Sequence, residues 1–93
     1  MKLKWGDRAR RDLIEIGRFI ARDDPNVARQ WIRRLRQRVR RAARMPRAGR
    51  VVPEFGRPDV REVLMRGYRI VYLVGKNSIT ILTVFEGHRL LRP

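Results

Sequence analysis

Ninety-three residues give room for one domain, spanning 1–93, and one modest hydrophobic core. Hydrophobic residues make up 43% and charged residues 35%, which excludes a disordered polar chain, and no apolar run is long enough to cross a bilayer. Twenty-four Lys and Arg against nine Asp and Glu leave a net charge of +15, so the expected partners are polyanions or an acidic protein.

In chain order, Lys2-Leu3-Lys4-Trp5 alternates polar and apolar as a short strand does, and Gly6-Asp7 supplies a break and a helix start. From Arg8 to Arg22, Ala9, Leu13, Ile16 and Ile20 recur at offsets of four, three and four, so one face of a helix is apolar. Ile14 and Phe19 fall outside that stripe on opposite flanks, where they are second contacts within the domain or places for another chain to touch. Asp24 is positioned to cap the next helix and Pro25 to occupy its first position. Ala28, Trp31, Ile32, Leu35, Val39 and Ala42 form its apolar stripe, arginine fills most of the remainder, and Pro46 ends it. So tight a turn between two helices predicts an antiparallel hairpin.

Pro46, Gly49, Pro53, Gly56 and Pro58 then mark an irregular connection. Val60 to Met65 reads as a strand, Arg66-Gly67 as a two-residue turn, Tyr68 to Val74 as a second strand, and Ile79 to Glu86 as a third. These three form an antiparallel meander that the opening strand can join. The predicted architecture is α+β, in the order β-α-α-β-β-β, with the hairpin packed on a curved antiparallel sheet. Tyr68, Ile70, Tyr72 and Val74 share one parity and are expected to form the layer that the helices cover.

Little in the chain supports chemistry. There is no cysteine, His88 is the only histidine with no ligand partners at metal spacing, and Ser78, the only serine, lies in a turn. No metal and no cofactor are expected, and a chain without cysteine suits a reducing cytoplasm. The segment 29–50 carries ten arginines and no acid, more positive charge than solubility requires, so a face that meets an anionic partner stands level with a merely solvated one. If Arg66-Gly67 is a tight turn, Arg69 lies opposite Leu64 and Arg61 opposite Tyr72, so the two arginines point to opposite faces unless a bulge intervenes. With Glu54 and Glu62 nearby, ion pairs decorating a sheet edge are the simplest expectation. Glu86, His88 and Arg89 cluster at the end of the last strand, either as an acid–base and phosphate-holding group or as a polar strand terminus.

The ordered set Trp5…Asp12-Leu13…Asp24-Pro25, Pro46…Gly49-Arg50…Pro53-Glu54, Val60-Arg61-Glu62-Val63, Gly67-Tyr68-Arg69-Ile70-Val71-Tyr72 and Ile79-Thr80-Ile81-Leu82…His88-Arg89 resembles the ParE/RelE toxin superfamily over essentially the whole chain. The resemblance implies the toxin half of a type II toxin–antitoxin module, held in a hetero-oligomer by a cognate antitoxin, with no membrane partner. It implies antitoxin contacts at Ile14, Phe19, Arg61 and Arg69. The long helical hairpin and the Pro46…Gly49-Arg50 connection favour the ParE-like branch, which poisons DNA gyrase by binding and has no hydrolytic site. On that branch Arg33, Arg40, Arg44 and Arg89 are the expected target contacts. A RelE-like nuclease acting on messenger RNA at the ribosome would instead use Arg61, Arg69, His88 and Arg89, but here no Tyr follows Arg89. A plain nucleic-acid-binding domain is the third reading.

Overall fold

The computed structural model describes residues 1–87. The chain runs β1 (Lys2–Trp5), α1 (Asp7–Asp23), α2 (Pro25–Arg44), a 3₁₀ turn (Pro46–Ala48), β2 (Arg50–Val51), β3 (Val60–Met65), β4 (Tyr68–Val74) and β5 (Ser78–Glu86). The Asp24 carboxylate accepts from the amides of Asn26 and Val27, capping α2 as its sequence predicts, with Pro25 in the first turn where no amide is needed. The N-cap of α1 is Gly6, with no side-chain cap, and Asp7 instead favours the helix dipole from within the first turn.

The strands form one five-stranded sheet in the order β1-β5-β4-β3-β2. Two features depart from the predicted all-antiparallel sheet. β1 joins β5 in parallel, Leu3 opposite Ile79 and Trp5 opposite Ile81, because the helical hairpin carries the chain across the sheet face to the opposite edge before the meander returns. The two-residue β2 adds a fifth strand beside β3, inside the segment expected to be irregular, and is too short to show a period. The Arg66-Gly67 hairpin has positive φ at both central residues, the geometry that a twisted two-residue turn demands. The register of β3 on β4 is continuous, with Leu64 opposite Arg69 and Arg61 opposite Tyr72. The irregularity lies instead in β5, where Val71 faces Thr83 but Tyr72 faces Ile81, leaving Leu82 as an extra residue.

Each face of the sheet has its own apolar cluster. On one face Ile70, Tyr72, Ile79, Ile81 and Val84 meet Ala9 of α1 and Trp31, Leu35, Val39 and Ala42 of α2, so the predicted stripes and the Tyr68–Val74 layer do pack together. The Trp31 and Tyr68 rings meet edge to face at 5.2 Å. On the other face a smaller cluster of Val52, Val60 and Val71 is closed by Phe55, Leu73, Leu82 and Phe85. Asp12 ties α1 to β5: its carboxylate accepts from the Thr83 hydroxyl at 2.6 Å and from the Val84 amide at 3.0 Å. That second bond satisfies a strand amide past the end of β1, where no neighbouring strand remains to receive it. None of the described helices is long and apolar enough to cross a membrane.

Candidate interaction surfaces

The apolar spacing of α2 turns one side to the sheet and leaves the other almost wholly to arginine. Arg29, Arg33, Arg34, Arg36, Arg40, Arg41 and Arg44 are all exposed. Among the described residues no α2 arginine joins an ion pair; Arg29 donates to the Asn26 side chain and Arg38 to the Leu64 carbonyl. The target contacts expected at Arg33, Arg40 and Arg44 therefore lie on a solvent-facing cationic surface. Arg89 and His88 lie outside the described residues.

The two apolar flanks of α1 open onto different cavities. Ile14, 52% exposed, lines a trough of about 470 Å³ with Leu3, Trp5 and Leu13, walled by Arg10, Arg36 and Arg40. No acid lines it. Phe19, 64% exposed, belongs to a cavity of about 330 Å³ on the other side of α1, with Ile16, Tyr68 and Phe85 beside Asp12, Glu15 and Glu86. The Tyr68 hydroxyl there titrates above its ordinary value, chiefly through burial and secondarily through the Glu86 charge. One surface is cationic and apolar, the other acid-lined and aromatic.

Arg61 and Arg69, both implied as antitoxin contacts by the resemblance, point to opposite faces, as their register predicts without a bulge. Arg61 donates to the carbonyls of Pro58, Arg47 and Gly49, holding the 46–59 connection against β3. Arg69 stands only 4% exposed on the interior strand β4. Its guanidinium grips the Glu54 carboxylate with two bonds of 2.7 and 2.8 Å and donates Nε to Glu62 at 2.6 Å, while its carbon lies 5.0 Å from the centre of the Phe85 ring. Glu62, itself 1% exposed, also accepts from Arg50. The Glu54 hydrogen bonds, followed by Glu62, hold Arg69 protonated beyond its already high ordinary value against the opposing effect of burial. Of the ion pairs expected at an exposed sheet edge, those of Arg69 form but are buried, roofed by the 52–59 loop, whereas Arg61 joins none among the described residues. Glu62 lies diagonal to Arg69 in the β3–β4 register and on the same face, a relation legible once the turn was placed. The trough and the Asp12 clasp leave no local mark in the sequence, since both depend on β1 docking beside β5.

Among the described residues no group of three or more His, Asp or Glu could hold a metal ion. What these surfaces offer is binding: a convex cationic helix and two grooves flanking α1. The family model described as ParE toxin of type II toxin-antitoxin system, parDE, matches residues 3–91. The chain belongs to the ParE toxin family. A relative described as "Putative toxin Y4kP" from Sinorhizobium fredii (strain NBRC 101917 / NGR234) is 34% identical over 91 residues, covering 95% of this chain and 90% of that protein. A solved structure titled "Chromosomal ParDE TA system from P. aeruginosa" superposes with a TM-score of 0.75 at 25% identity, covering 92% of this chain and 95% of that one. Membership of a toxin family of the type II toxin–antitoxin system parDE implies a cognate ParD antitoxin as partner.

Proposed function

We propose that this ParE-family toxin acts by binding and poisoning DNA gyrase, and that its antitoxin neutralises it by seating on the two flanks of α1, with Ile14 and Phe19 as apolar anchors. The observation that carries the binding reading is the state of Arg69. A nuclease on this fold needs its sheet arginine facing a phosphate, whereas here three hydrogen bonds commit Arg69 to the carboxylates of Glu54 and Glu62 beneath a loop. Releasing it would strand a buried carboxylate at a cost of roughly 3–5 kcal/mol. The antitoxin reading rests on two large side chains, each more than half exposed, in grooves of opposite polar character. In this reading Arg61 and Arg69, each bonded on its own face of the sheet, brace the 46–59 segment rather than touching the antitoxin themselves.

The test runs the purified toxin in two assays side by side: gyrase supercoiling with cleavage-complex trapping, and a translating extract carrying an end-labelled message. Inhibited supercoiling with intact message supports the proposal. Message cut in codon register with gyrase untouched would replace it with the RelE-like nuclease.

A further inference from the structure

The ridge on α2 carries more than the antitoxin reading uses. At 3.6 residues per turn, Arg29, Arg33, Arg36, Arg40 and Arg44 fall within an arc of about 80° and extend along roughly 22 Å of helix axis. Arg34 and Arg41 lie to one side of this stripe, so seven exposed cations occupy about 160° of arc over roughly 22 Å of axis, a charge density comparable to the duplex, which carries one phosphate per roughly 3.4 Å of axis on each strand. No acid lies between residues 29 and 50 to neutralise them.

Along the ridge itself the apolar area within reach is small: Ile32 is half-buried at the floor of a hollow among Arg29, Arg33, Arg36 and Arg40. The large exposed apolar side chains among the described residues are Met1, Ile14, Phe19, Val27, Met45 and Leu64, and none lies on α2 between Ala28 and Arg44. Protein interfaces draw most of their energy from a few Trp, Tyr and Arg anchors seated in well-packed, desolvated pockets, whereas phosphate contacts need only correctly spaced, solvent-facing cations. The helix is also held firmly: Trp31, Leu35 and Val39 are buried beneath it, and Arg38 bonds the Leu64 carbonyl on β3. Arg36 and Arg40 also wall the Ile14 trough, but Arg29, Arg33 and Arg44 stand clear of it, and a rigid rod whose exposed side chains from Ala28 to Arg44 are all arginine or glutamine matches a phosphodiester backbone better than an acidic peptide.

We propose that the α2 ridge is a duplex-DNA surface through which the toxin holds the phosphate backbone of its target's DNA; that the target is gyrase on its DNA rests on the reading above, but the DNA contact itself does not. Binding is sequence-independent and falls steeply with salt. Engaging five or six phosphates gives a slope of log K against log salt of about −4.5 to −5.4, or a loss of about a thousandfold in affinity on raising salt from about 50 to about 200 mM.

The test is fluorescence anisotropy of a labelled mixed-sequence duplex across that salt range, with the full-length toxin and two variants of equal net charge. The ridge variant carries Arg33→Gln, Arg36→Gln, Arg40→Gln and Arg44→Gln; the control carries Lys2→Gln, Lys4→Gln, Arg8→Gln and Lys76→Gln, all exposed positions off the ridge. The ridge variant is expected to lose about 3.6 from the slope, at about 0.9 per phosphate, and the control less than about 1. Glutamine is a good helix former, and thermal melts check folding. If the fourfold variant melts too low, the Arg33/Arg36 and Arg40/Arg44 pairs are measured separately, each expected to remove about 1.8. Equal losses in ridge and control variants would overturn the proposal, because net charge alone would then explain binding. So would failure to bind duplex under conditions where a polyglutamate chain binds, which would assign the ridge to an acidic protein. Duplex binding by a toxin that leaves gyrase untouched would refute the gyrase reading and leave the ridge standing. Gyrase poisoning that survives in a ridge variant unable to bind duplex would refute the ridge's part in the target.

Discussion

Replacing Arg69 by Met tests the buried charge network directly. The Arg69 side chain is 4% exposed and Glu62 is fully buried, whereas Glu54 is 14% exposed and Arg50 56% exposed. With Arg69 gone, Glu54 can turn outward from its surface loop, but Glu62 stays buried with only the solvent-facing Arg50 beside it. Breaking a buried pair from one side costs about 3–5 kcal/mol. For a domain of this size, with melting temperature moving about 4–8 °C per kcal/mol, the expected drop is roughly 12–40 °C. Removing both charges should cost far less, because a well-packed apolar pair often equals a buried ion pair. Arg69→Met with Glu62→Leu is therefore expected to be at least about 2 kcal/mol more stable than Arg69→Met alone. Urea unfolding followed through the fluorescence of Trp5 and Trp31 measures both. A loss under about 1 kcal/mol for the single variant, or no recovery in the double, would refute the account of the network as a closed ionic roof.

Three further outcomes are expected. Leu35→Ala, at a fully buried position under the hairpin, should lose about 2–5 kcal/mol in the same unfolding assay. Gly49→Ala should lose about 1–3 kcal/mol, since its new methyl would press on the Tyr72 hydroxyl and stand 2.8 Å from the Glu62 carbonyl; adding Tyr72→Phe should restore only part, because the backbone contact persists. Ile14→Asp and Phe19→Asp should each weaken antitoxin binding at least tenfold by titration calorimetry with melting temperature nearly unchanged, as both side chains are already mostly in water.

The local signals carried far: the helix stripes, the Asp24 cap, the Arg66-Gly67 turn and the bounds of β3 and β4 all follow from spacing and turn chemistry. The parity of Arg61 and Arg69 held because nothing interrupts the β3–β4 register. What the chain did not disclose depends on contacts distant in sequence. The parallel docking of β1 on β5 is set by where the hairpin returns the chain, and the bulge at Leu82 leaves no mark in an unbroken apolar run. Burial of Arg69 required knowing that the 52–59 loop folds over the far face, which Pro53 and Gly56 alone do not reveal. The Ile14 trough was hidden for the same reason, since half of its floor comes from Leu3 and Trp5.

Ile14 and Phe19 are five residues apart on α1, about 140° around the cylinder and 7.5 Å along it. A strap bridging the two hollows over the outer surface would cover roughly 16 Å, which about five extended residues can span. Its path runs between Arg18 and Glu15, with Arg11 and Arg22 further out along the axis to either side, so a short linker carrying an acid toward Arg18 and a hydroxyl or amide toward Glu15, with an apolar residue at each end, would clasp α1 like a ring around a finger. Such a grip buries little area yet cannot be released by sliding, only by lifting one end at a time.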